Sequence, residues 1–234
     1  MRKRFLIPCA VVLSLVMVAV ALAGAKSSGV KFTAKHTGAS TGLNVTVVNP
    51  DPTTPQPAAT SKIIVGFPSG TRFDLSAPGI QTCTLSDKQL RDQFGKKCPK
   101  KSFLGSGKAE LSQPVLVPKG IPATLDAYAG VHNVILVIQP KILALKSQIL
   151  VLHAAVSGST MTIPTPRIMW GADKKTHFSG VQVVLVSFSL SMPAHGKGAN
   201  SLIRTNACGG KAVFQFFYDH GRKLTVKALA PCGA

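Results

Sequence analysis

Val181-Gln-Val-Val-Leu-Val-Ser-Phe-Ser-Leu-Ser-Met192 is the stretch that decides the fold class. It holds four valines and alternates in part. Ser187, Ser189 and Ser191 fall on one face, Phe188 and Leu190 on the other. A period of two marks a strand with one wet and one buried face. The same signal recurs along the chain. Segments 30–36 and 43–48 flank a Gly/Ser/Thr turn and read as a hairpin. Segment 62–67 is a short apolar strand turned by Pro68-Ser-Gly70. Strands are also expected at 108–117, 123–129, 131–138, 142–156, 202–205, 211–218 and 223–229. The fifteen residues of 142–156 are long for one strand, so that segment must bend or split. Its Lys146 and His153 argue against a membrane span.

One helix is expected, over 86–94. Ser86 can cap it, Asp87 suits its positive end, and Leu90 and Phe94 share a face. The four prolines in Asn49-Pro-Asp-Pro-Thr-Thr-Pro-Gln-Pro57 rule out ladder pairing, so 49–60 is an irregular loop. About eleven strands and one short helix predict an all-β domain, built as a two-sheet sandwich or an open barrel.

The N-terminus carries a different pattern. Met1-Arg-Lys-Arg4 is basic, an apolar run follows from Phe5 to Leu22, and Ala21-Leu-Ala23 is a small-x-small cleavage site. Residues 1–23 therefore read as a secretory signal peptide, and 24–234 as a single β-sandwich-like domain, secreted and in an oxidising place. The run nearly reaches the roughly 20 residues of a retained anchor, but the cleavage site and the polar residues after it favour removal. Cys9 lies near the start of the run and cannot become a lipid-bearing mature N-terminus.

The full chain has a formal charge of +19, with 27 Lys and Arg against eight acidic side chains. Such a field attracts polyanions. The shortage of carboxylates leaves little material for paired-carboxylate glycosidases or oxygen-ligand metal sites. The domain keeps four cysteines: Cys83, Cys98, Cys208 and Cys232. An even count in an exported chain reads as two disulfides. Three pairings are open. The local ones, Cys83–Cys98 and Cys208–Cys232, are favoured because each brackets a short turn-rich segment. A zinc site is the rival reading, but there is no C-x-x-C pair and no histidine at close ligand spacing. No cofactor is expected.

Phe67-Pro-Ser-Gly-Thr-Arg-Phe-Asp74, Cys83, Cys98-Pro99, Ser102 and Gly105-Ser-Gly107 together resemble a pattern in uncharacterised exported proteins of actinobacteria. Cys208, the aromatic strand after it, Asp219 with Gly221, and Pro231-Cys232 extend the resemblance over most of the mature chain. It implies an extracellular β-rich domain with two local disulfides, and no activity. The group places a Pro just before the third Cys and a Trp soon after it. Here Thr205-Asn-Ala207 precedes Cys208, with Val213 and Phe214 in the later region.

Catalytic motifs are thin. Gly38-Ala-Ser40-Thr-Gly42 fits G-x-S-x-G, but it leads into a strand rather than a helix. Ser28-Gly-Val-Lys31 fits S-x-x-K without its partner motifs. Gly105-Ser-Gly107 reads as a turn needing positive φ. The six histidines, His36, His132, His153, His177, His195 and His220, form no close pair in sequence. His220 between Asp219 and Gly221 reads as a hairpin turn.

The basic cluster is the stronger lead. Lys88, Arg91, Lys96, Lys97, Lys100, Lys101 and Lys108 crowd the first disulfide loop and its flanks, offset only by Asp87 and Asp92. A disulfide that fixes them pre-orders a cationic surface. With few aromatics near, an anionic cell-wall polymer or a membrane surface is the expected partner, and nucleic acid is disfavoured. The expected function is an exported, non-enzymatic, envelope-associated binding protein. The alternatives are a hydrolase assembled from distant strands, or a structural and adhesive surface module.

Overall fold

The computed structural model describes residues 27–34, 38, 40–51, 57–113, 117–142, 148–166, 168–170, 181–206 and 208–233. The signal-peptide segment, most of the Pro-rich loop, His36 and His177 lie outside them. The described chain forms β1 (Gly29–Phe32), β2 (Leu43–Val48), β3 (Thr60–Gly66), β4 (Arg72–Phe73), α1 (Asp87–Gln93), β5 (Phe103–Gln113), β6 (Val117–Ala129), β7 (Asn133–Pro140) and β8 (Leu150–Ser157). After these come β9 (Thr160–Pro164), β10 (Ile168–Trp170), β11 (Val181–Met192), β12 (Ile203–Arg204), β13 (Gly210–Tyr218) and β14 (Lys223–Ala230).

One antiparallel sheet runs in the order β1-β2-β11-β5-β6-β7-β8-β9-β3-β13-β14, with β10 beside β11. Its two ends meet. The Phe32 N–H donates to Pro231 O at 2.9 Å, and Phe32 and Cys232 form a parallel bridge. The architecture is therefore all-β, in its open-barrel form: one sheet of eleven consecutive strands that nearly closes on itself. Near-closure removes most of the exposed edge that an open sheet presents. A second small sheet, β4 with β12, brings Leu202 and Ile203 into the same core.

The partial alternation of β11 has a local cause. Its register against β5 shifts between Leu185 and Ser187, leaving Val186 as an extra residue. Such a bulge flips the side-chain phase. Val183 and Leu185 point into the core before it, and Phe188, Leu190 and Met192 do so after it. Ser189 and Ser191 consequently face out.

Gly105 and Gly107 are not in a turn. They lie within β5, which starts earlier than the expected strand at 108. A Cβ on Gly107 would stand 1.8 Å from Ser189 O, and one on Gly105 2.1 Å from Ser191 O. Their role is close backbone approach to β11, not positive φ.

Helix α1 forms as the sequence predicts. Ser86 and Gln89 make a reciprocal capping box, and Phe94 ends the helix in the left-handed region at φ 54°. Leu90 is fully buried, in a second cluster with Cys83, Cys98, Ile135, Val137 and Val151. This cluster lies on the outer face of β7 and β8, opposite the barrel core. It explains why β7 buries Val134 through Ile138 without alternation, since both of its faces are covered. His153 on β8 ties the helix start down, its Nε2–H 2.8 Å from Asp87 Oδ1.

Both local disulfides are present, with Cα–Cα distances of 5.0 Å for Cys83–Cys98 and 5.1 Å for Cys208–Cys232. All four thiols are thus committed to bonds that suit an oxidising environment. The expected strand 142–156 is shorter than read: β8 starts at Leu150, and 143–147 lies outside the described residues. The hairpin at His220 is as expected, with the Gly221 N–H donating to Tyr218 O at 3.0 Å.

The N-terminal end of the Pro-rich loop is pinned to that hairpin. Tyr218 O–H donates to Asn49 Oδ1 at 2.8 Å, and Arg222 pairs with the fully buried Asp51 carboxylate at 2.6 Å. Burial raises the Tyr218 hydroxyl above its usual range, and the nearby Asp51 charge adds to this. Burial also pushes Tyr128, beside Asp126, up to about 12. The chain has only these two tyrosines. In native protein at pH 10, tyrosinate absorbance should therefore stay well under half its full value, whereas urea-unfolded protein should reach about half. Both folded pKa values exceed the unfolded one. Their stabilising contribution is thus complete below pH 10 and is lost as pH rises above it, for Tyr128 toward about 12. Matching native and unfolded titration curves would contradict this.

Candidate functional site

The basic loop is built on α1 and its disulfide. Lys88 and Arg91 project from the helix and are exposed. Lys88 is partly neutralised by Asp92 one turn on. Lys96 and Lys97 follow the left-handed Phe94-Gly95 exit, and the Lys96 ammonium sits 5.8 Å from the Phe94 ring centre. A side chain at Gly95 would displace the Tyr128 ring, because a Cβ there would stand 2.7 Å from it, and the residue sits at φ 69°. Lys100 and Lys101 occupy a short 3-10 turn, Lys100–Ser102. Buried Ser102 closes this turn by donating to Pro99 O at 2.6 Å. The Gln81 N–H donates to Lys101 O at 3.2 Å, tying the two limbs of the loop together. Six of the seven predicted basic residues are thereby held on one packed, disulfide-closed element.

Lys108 is not part of that loop. It lies on the outer face of β5, in register with Ser189 on β11 and Thr124 on β6. There it lines a cleft of about 620 Å³ across the outer sheet face, with Thr46, Glu110, Lys141, Ser187 and Ser189. The β11 bulge creates this polar face by turning the serines outward. Sequence reading missed Lys141, which is far from the basic cluster along the chain, and Glu110, which follows Lys108 closely but carries the opposite charge. Asp126 lies on the outer face of β6, one residue pair along from Thr124, and burial raises its carboxyl above the usual range.

The catalytic motifs resolve into structural roles. Ser40 forms an isolated bridge with Arg204, and its hydroxyl donates to Gly196 O at 3.1 Å. Ser28 Oγ accepts from the Val48 N–H at 2.9 Å, next to β1. His195 Nε2–H donates to Leu104 O at 3.3 Å, while His132 and His220 are exposed at turns. Among the described residues, no three His, Cys, Asp or Glu side chains gather as a metal-binding group. The aromatic strand is mostly core. Phe214 and Phe216 are fully buried, whereas Phe217 faces out between the Lys62 and Lys223 ammoniums at 4.4 and 5.0 Å. Large exposed apolar side chains among the described residues are Phe103, Val131 and Leu229, on separate elements.

Comparison with models of known families, with curated proteins and with solved structures finds no match.

Proposed function

We propose that the chain is an exported, non-enzymatic β-barrel protein that sits at or near the cell envelope and binds an anionic polymer or surface through its first disulfide loop. The carrying observation is the exposure of Arg91, Lys96, Lys97, Lys100 and Lys101 on an element fixed by Cys83–Cys98 and by the Leu90 cluster. A fixed backbone removes the loop-ordering part of the entropy lost on binding. Export is supported by the N-terminal pattern at residues 1–23 and by the two disulfides. The strong positive balance of the chain supports the choice of an anionic partner.

Binding of the mature protein to isolated envelope material tests the reading. Retention should weaken at least about ten-fold between low and high salt, because an exposed cationic surface is screened. Absent or salt-insensitive retention would contradict it.

A further inference from the structure

The cleft on the serine face has a chemistry more selective than charge alone. One row of neighbouring residues across the sheet reads Thr46, Ser189, Lys108. The next reads Ser187, Glu110, Pro122, and the Lys141 N–H donates to Pro122 O at 2.8 Å. Strands about 4.8 Å apart, with same-face residues about 6.7 Å along each, place the Lys108 and Lys141 backbones roughly 12 Å apart. Glu110, the single glutamate of the chain, lies one same-face step along β5 from Lys108, in the row that leads through Pro122 to Lys141.

Each group asks for something different. Two ammoniums and the hydroxyls of Thr46, Ser187 and Ser189 are point donors that suit a tetrahedral oxyanion. No arginine lines the cleft to hold a planar carboxylate in a fork. Glu110 accepts O–H donors and repels a second anion. A ligand made only of anions meets that repulsion, and a neutral sugar leaves both lysines unused. A phosphate flanked by hydroxyls satisfies all of them.

We propose that this cleft binds a phosphorylated polyol or sugar. Lys108, Lys141 and the serine hydroxyls hold the phosphate oxygens, and Glu110 accepts from a neighbouring hydroxyl of the ligand. The inference rests on the anionic-polymer reading and names the repeating unit that such a polymer presents.

Glycerol 3-phosphate, titrated at millimolar concentrations into the disulfide-bonded protein and followed by amide NMR, is the test. The amides of residues 108–110 and 187–189 should shift. Lys108→Gln and Lys141→Gln should each weaken binding about ten-fold while leaving the melting curve unchanged. Glu110→Gln should weaken glycerol 3-phosphate but not inorganic phosphate, and glycerol alone should not bind. Three results would overturn the proposal: no shift in the cleft, glycerol binding as well as its phosphate, or Glu110→Gln tightening both anions equally. A variant with Lys96, Lys97, Lys100 and Lys101 changed to Gln separates the two readings. It should titrate normally with glycerol 3-phosphate while losing envelope retention, so failure of the cleft does not imply failure of the loop.

Discussion

Gly107→Ala is expected to cost at least ~3 kcal/mol of stability, with the folded state lost in the worst case. The added methyl would stand 1.8 Å from Ser189 O and 2.8 Å from the Ser189 carbonyl carbon. Those are backbone atoms of β11, the strand that joins β2 to β5. A side chain in the way can rotate, but a paired backbone cannot. The β5–β11 ladder must open, and it is an interior link of the path that closes the barrel. Gly29→Ala is the control, since nothing lies within 4 Å of a Cβ there, and it should stay within about 0.5 kcal/mol of wild type. Urea unfolding measures both. A Gly107→Ala midpoint equal to wild type would remove the close-approach account of β5.

Replacing Cys83 and Cys98 together with serine is expected to cost about 3 kcal/mol, the chain-entropy value for a loop closing over a sequence separation of 15. The damage should be local. The bond belongs to the cluster of Leu90, Ile135, Val137 and Val151, outside the main core. Hydrogen exchange should therefore speed up at α1 and across 94–102, while β5, β6 and β13 keep their protection. Removing Cys208–Cys232 should act differently. Cys232 adjoins the Phe32 bridge that closes the sheet, so protection should fall across β1, β13 and β14. Equal exchange patterns in the two double variants would contradict this division of labour.

Much of this organisation is legible in the residues. Alternation in β2, β3 and β13 is simple because one face of each meets the core and the other meets solvent. Ser86 and Gln89 mark the helix start because a capping box is a local event. Local disulfides follow from short turn-rich brackets. What escapes the sequence is non-local. Nothing in Gly105-Ser-Gly107 says that β11 lies against it, so the motif reads as a turn. β9 is missed because Thr160–Pro164 is five residues long and ends in proline. β4 and β12, at two residues each, have no period to detect. The continuous apolar run of β7 carries no sign of the helix that covers its outer face. The candidate site divides the same way. The loop lysines are neighbours in sequence, whereas Lys141 reaches the cleft only through the β6–β7 pairing and separates in sequence from Lys108 and Ser189.

The most direct measurement compares envelope retention of the wild-type domain with that of the variant bearing Lys96→Gln, Lys97→Gln, Lys100→Gln and Lys101→Gln, at low salt and with matched melting curves. All four side chains are exposed, so stability should be unchanged. The loop account predicts that retention falls at least about ten-fold and loses most of its salt dependence. Undiminished retention with the wild-type salt dependence would contradict it.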